Sequence, residues 1–120
     1  MQFDPNKAIY LQIADRIMDR IMDGTFAADQ RVPSVRELAA EVEVNPNTVV
    51  RSYEWLEQRG IIFNKRGCGY FVAPQGPETV SGLRRADFYA DELPKFFDRI
   101  RSLGWSPMEL ASEYENFLKQ

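Results

Sequence analysis

Two helix starts, Ser34-Val35-Arg36-Glu37 and Asn45-Pro46, lie so close that the chain between them has room for one short helix and one tight turn. Each start has a physical basis. In the first, the serine oxygen accepts from the Glu37 backbone N–H while the Glu37 side chain reaches back, a capping box. In the second, Asn45 caps the helix and Pro46 takes the first helical position, where its missing N–H costs nothing. The spacing predicts a short helix to about Val42, with Val35, Leu38 and Ala39 inward, and a turn at Glu43-Val44. It then predicts a helix to about Gln58, with Val49, Tyr53 and Leu56 on one face and Gly60 as its stop. Two short helices joined in this way are able to lay the second across a DNA major groove.

The flanks complete a unit around the pair. Upstream, Ile9, Ile13, Ile17 and Ile21 recur every four residues, with Tyr10, Ala14 and Met18 widening the stripe, so a helix is expected from about Ala8 to Asp23, closed by Gly24. Downstream, Ile61 to Asn64 and Tyr70 to Ala73 are strand-like and flank Lys65-Arg66-Gly67-Cys68-Gly69, a hairpin with a basic, glycine-rich tip. The fold class expected is mainly α with a small β-hairpin: a winged helix-turn-helix over residues 1–74, followed by a two-helix tail over 75–120. Gln75-Gly76-Pro77 reads as the linker between them.

The tail has its own pattern. From a start near Glu78 to Ser81, the residues Ala86, Tyr89, Leu93, Phe96, Ile100 and Leu103 step alternately by three and four, a heptad seam that Phe97 broadens. Pro94 interrupts it and is expected to kink the helix. After Gly104, Ser106-Pro107-Met108-Glu109 combines a cap, an N1 proline and a capping-box glutamate, and the helix it opens carries Ala111, Tyr114, Phe117 and Leu118 on one face. A seam of this kind packs on a partner or back on its own chain.

Composition excludes other classes. The chain has no histidine and one cysteine, Cys68, which removes the commonest general base, any Cys-based zinc site within one chain, and an internal disulfide framework. Neither an enzyme nor a cofactor or metal site is expected. The N-terminus MQFDPNK lacks the pattern of a signal peptide and no apolar run is long enough to span a bilayer, so a cytoplasmic protein with no membrane partner is expected. The net charge of −3 is unusual for a DNA binder, but it is uneven. From Asn45 to Val72 there are four basic residues (Arg51, Arg59, Lys65, Arg66) against two acids, and local charge is what meets phosphates.

The first turns of the second short helix present Asn47, Thr48 and Arg51. Asparagine bonds an adenine edge, threonine meets a thymine methyl or a phosphate, and arginine forks onto guanine or clamps a phosphate. Arg36 is placed to reach the backbone or a nearby base. At the hairpin, Lys65 and Arg66 supply charge, while Gly67 and Gly69 let the backbone approach the duplex. Each has a plainer alternative: Arg36 pairing with Glu41, Asn47 and Thr48 as first-turn polar residues, Arg51 as a solvated arginine, and the glycines serving the turn alone.

Taken in order, Arg31-Val-Pro-Ser-Val-Arg-Glu-Leu-Ala39, Val44-Asn-Pro-Asn-Thr-Val49, Tyr53-Glu-Trp-Leu-Glu57, Gly60-Ile-Ile62 and Arg66-Gly-Cys-Gly-Tyr-Phe-Val72 resemble the winged helix-turn-helix of GntR-family regulators. The tail, through Leu103-Gly-Trp-Ser-Pro-Met-Glu-Leu110, is similar to the YtrA subfamily, in which two helices after the wing dimerise the protein. The resemblance implies a homodimer on double-stranded DNA with a palindromic operator, usually as a repressor and often of a transporter operon. It places the DNA contacts on Ser34, Arg36, Asn47, Thr48, Arg51 and the Arg66-Gly67 tip. The dimer interface then falls on Tyr89, Leu93, Phe96, Phe97, Ile100 and Leu103. Many relatives carry a basic residue where this chain has Val50, which trims the phosphate contacts. A two-helix tail is too small to enclose a pocket of roughly 300 Å³, so a small-molecule effector would sit at the dimer interface or between the wing unit and the tail. The competing reading is a winged-helix protein-interaction module without specific DNA binding.

Overall fold

The structure, a computed structural model, describes residues 2–120. Its elements run α1 (Ile9–Met22), α2 (Val35–Val42), α3 (Pro46–Gln58), β1 (Ile62–Lys65), β2 (Gly69–Val72), α4 (Gly76–Asp87), a π-helical turn (Phe88–Glu92), α5 (Leu93–Ser102) and α6 (Pro107–Leu118). Two compact units divide between Gly82 and Leu83.

In the first unit the local signals act as expected. Ser34 accepts from the Glu37 N–H at 3.1 Å and Glu37 Oε1 accepts from the Ser34 N–H at 3.1 Å, which closes the capping box on α2. Asn45 Oδ1 accepts from the Asn47 N–H at 2.8 Å and opens α3 with Pro46 behind it. Between them Glu43 adopts a left-handed conformation (φ +58°), so the turn bends within a few residues. The isoleucine stripe of α1 buries Ile13, Ile17 and Ile21 against α3, whose inward residues are Val49, Ser52, Tyr53 and Leu56.

The wing is larger than the hairpin read from the sequence. β1 and β2 pair antiparallel with Ile62 opposite Val72 and Lys65 opposite Gly69. A third segment joins them: Arg31 bridges Phe71, the Val32 N–H donates to the Tyr70 carbonyl at 3.0 Å, and the Val72 N–H donates to the Gln30 carbonyl at 2.8 Å. The chain before α2 is thereby bonded to the wing strand, which gives these buried-edge backbone groups partners.

Gln75-Gly76-Pro77 is not a loose linker. A Cβ on Gly76 would lie 2.7 Å from the Ile61 carbonyl oxygen and 2.9 Å from Val72 Cγ1, so the start of α4 packs directly on the hairpin base. Gln75 Nε2 donates to the Gly60 carbonyl at 3.1 Å, and Val80, a turn further on, is fully buried. The contact boundary therefore falls after Gly82 and not after residue 74. Proline near a helix start is tolerated because the first N–H groups have no intrahelical partner.

The second unit spans Leu83–Gln120. Pro94 is absorbed by the π turn that precedes it. Its ring lacks an N–H and crowds the carbonyl four residues back, and the helix widens so that the Leu93 N–H donates to the Phe88 carbonyl, five residues back. No residue of this unit is buried, and every residue of α6 beyond Leu110 is exposed. The two tail helices thus leave each other's apolar faces open. At the corner where they meet, Phe97, Ile100, Arg101, Gly104, Trp105, Pro107 and Leu110 line a cleft of about 430 Å³, wide open to solvent and not enclosed.

Candidate nucleic-acid interface

The outward face of α3 is built by subtraction. Val49, Ser52, Tyr53 and Leu56 are committed to the core, which leaves Asn47, Val50 and Arg51 exposed and Thr48 half-buried beside them. Asn47 and Thr48 lie one turn before Arg51 on the same face. Their backbone N–H groups are satisfied locally by Asn45, and among the described residues the Asn47 side-chain amide makes no hydrogen bond. Arg51 is not a loose surface arginine: its guanidinium carbon sits 4.2 Å from the centroid of the Tyr10 ring on α1.

Arg36 projects from the first turn of α2 and is exposed. Its expected plain partner, Glu41, faces Arg20 at 4.0 Å instead, and among the described residues Arg36 makes no ion pair. Ser34 Oγ accepts from the Glu37 N–H in the α2 cap, and its hydroxyl also faces the Glu37 carboxylate. The Glu37 carboxylate is held below the usual range, first by the Ser34 backbone N–H, then by the Ser34 hydroxyl, with Arg31 adding attraction.

At the wing tip the Cys68 N–H closes a turn onto the Lys65 carbonyl at 2.9 Å. Gly67 takes φ +80° there with open space around it, so its glycine serves the backbone conformation and leaves the tip bare. Gly69 is different: at φ +105°, a Cβ would meet Arg31 Nε at 3.2 Å. Lys65 and Arg66 are exposed, and Lys65 Nζ lies 5.8 Å from the Phe71 ring centroid. Phe71 in turn stacks on Phe63 across the hairpin at 5.9 Å.

Three residues that organise this surface were not singled out from the sequence as site residues. Ser52 is fully buried and its Oγ donates to the Tyr10 carbonyl at 2.7 Å, with the Thr48 carbonyl at 3.1 Å. Tyr10 carries the Arg51 stack. Arg31 pairs with Glu37 at 3.7 Å and lies against Gly69, linking the α2 start to the wing. Behind the surface, Tyr53 donates to the Pro33 carbonyl at 2.5 Å and meets the Tyr70 ring edge-on at 5.0 Å. Burial raises its phenol pKa, with Glu37 adding to the effect.

The family description "Bacterial regulatory proteins, gntR family" matches residues 9–72, which is all of α1 through β2. The chain belongs to the GntR family. This GntR-family chain is 36% identical over 116 residues to YhcF, an HTH-type transcriptional regulator of Bacillus subtilis, covering 97% of this chain and 94% of that one. It is 37% identical over 82 residues to YtrA, an HTH-type transcriptional repressor of the same organism, covering 67% of this chain and 63% of YtrA. A GntR-family regulator from Bacteroides thetaiotaomicron superposes with a TM-score of 0.80 at 45% identity, covering 93% of this chain and 97% of its own. The chain is a YtrA-like DNA-binding transcription regulator of winged-helix fold, not an enzyme.

Proposed function

We propose that this GntR-family regulator is a cytoplasmic homodimer that reads a palindromic operator and represses an operon of transporter type. The observation that carries the reading is the outward face of α3, where Asn47, Thr48 and Arg51 stand clear of the core beside an exposed Arg36. In this reading Arg51 and Asn47 contact base edges, Ser34, Arg36 and Thr48 hold the backbone or a neighbouring base, and Lys65, Arg66 and Gly67 bring the wing to the adjacent groove. The dimer interface takes Tyr89, Leu93, Phe96, Phe97, Ile100 and Leu103. Support for this comes from their exposure: Tyr89 is 56% and Leu103 64% exposed in the single chain, and Phe96 and Phe97 are about half exposed. Apolar surface of this extent marks an association site. The repressor role draws on the name of YtrA. Among the described residues no helix is long and apolar enough to cross a membrane, which fits a regulator that meets DNA in the cytoplasm.

A gel-shift titration against the DNA upstream of the protein's own gene tests the reading. The wild-type protein shifts that duplex in preference to scrambled DNA, and Arg51→Ala and Arg36→Ala each weaken the specific complex about 5- to 100-fold. Equal, weak binding to every sequence refutes the specific claim, and a salt-independent protein partner with no DNA shift favours the interaction-module reading.

A further inference from the structure

We infer that Tyr10 is a positioning residue for DNA reading, one that holds the Arg51 guanidinium with its N–H edge turned outward; this rests on the function proposed above. The guanidinium carbon lies 4.2 Å from the Tyr10 ring centroid, well inside the range of a cation–π contact. Stacking occupies the flat face of a guanidinium, whereas forking onto a base or phosphate uses its edge, so the two do not compete. An arginine already laid on a ring has fewer rotamers to lose when DNA arrives.

The backbone that carries the ring is held in place. The residue next to Arg51, Ser52, is fully buried and donates to the Tyr10 carbonyl at 2.7 Å. Consecutive residues of α3 therefore grip one residue of α1, the first from the ring face and the second from the backbone. The α1 start is clasped in turn: Gln12 Nε2 donates to the Asp4 and Lys7 carbonyls at 2.7 and 2.8 Å, and the Asp4 N–H donates to Gln12 Oε1 at 2.8 Å. Among the described residues the Tyr10 hydroxyl makes no hydrogen bond, so the aromatic face and not the phenol carries the contact. Tyr10 is only half-buried, unlike Ile13 and Ile17 of the same stripe, which belong to the core.

The test is a double-mutant cycle, with affinities measured on a short duplex selected by the wild-type protein from a random-sequence pool. Tyr10→Leu is expected to weaken binding about 3- to 10-fold. Tyr10→Phe, which keeps the ring, restores the affinity. The Tyr10→Leu/Arg51→Ala double variant binds no worse than Arg51→Ala alone, because Tyr10 acts through Arg51. Losses that multiply in the double variant overturn the proposal, as does a Tyr10→Phe loss equal to that of Tyr10→Leu. The Arg51 Nε–H resonance of the free wild-type protein supplies a readout that no folding defect can mask. A ring-current-shifted signal supports the stack, and an unshifted one overturns it. A pool that yields no preferred sequence overturns the function reading and this proposal together, whereas multiplying losses on a selected duplex overturn this proposal alone.

Discussion

The winged unit and the tail spend their apolar residues in opposite ways. In the first, Ile13, Ile17, Val49, Tyr53, Leu56, Ile61 and Val72 are buried to 1% exposure or less. In the second, Phe88, Tyr89, Phe96, Phe97, Leu103, Tyr114, Phe117 and Leu118 are all exposed, Phe117 to 65%. Both units carry equally good local signals: each has a serine–glutamate capping box, at Ser34-Glu37 and at Ser106-Glu109. Capping and periodicity thus specify helices in either region, but only the winged unit also closes a core. Helices of 10 and 12 residues such as α5 and α6 are marginal in water without tertiary burial. The tail's stabilisation is accordingly assigned to a second copy, in line with the proposed dimer.

That contrast is broken most severely by charging the seam. Leu93→Asp or Phe96→Asp is expected to halve the mass seen by light scattering and to weaken operator binding about 100-fold, since one half-site loses the benefit of linked sites. Winged-unit thermal stability is expected to change little.

A smaller effect separates the start of α4 from its middle. Gly76→Ala places a methyl against the Ile61 carbonyl and Val72, and should destabilise the winged unit by about 1–3 kcal/mol in a thermal or denaturant melt. Gly82→Ala, with open space around its Cβ, should stabilise the helix by about 0.5–1 kcal/mol in the same assay. Equal effects at the two positions would place Gly76 back in a linker.

The smallest effect is electrostatic. The folded Glu37 carboxyl titrates below its ordinary value of 4.5, so its contribution is fully present above that value and is lost as pH falls through the lowered one. The difference in melting temperature between wild type and Glu37→Gln should therefore shrink as pH drops below about 4.5.

These differences mark what was legible in the sequence. The starts of α2, α3 and α6 were, because a cap is a contact between residues two or three apart. The two hairpin strands were legible from their turn. The third wing segment was not: Arg31 meets Phe71 across forty residues, and nothing local in Gln30-Arg31-Val32 specifies that pairing. Gly76-Pro77 reads as punctuation in one dimension, and only the close approach of Ile61 and Val72 shows why the glycine is needed. Pro94 signalled a disturbance, and the structure gave it the form of a π turn. On the outward face of α3, Asn47, Thr48 and Arg51 followed from their place in the first turns of the helix. The Tyr10 stack and the Ser52 bond did not, since both join α3 to a residue about forty positions upstream.

The proposed function requires a self-sufficient winged unit to be paired by a tail that one chain cannot close. Its most direct test compares the affinity of the full-length protein for a selected palindrome with that for a single half-site, alongside Phe96→Asp. A preference of about 100-fold for the palindrome is expected in the wild type, abolished in the variant while half-site binding is kept. Equal wild-type affinity for the two duplexes, or an undiminished preference in a Phe96→Asp monomer, would contradict it.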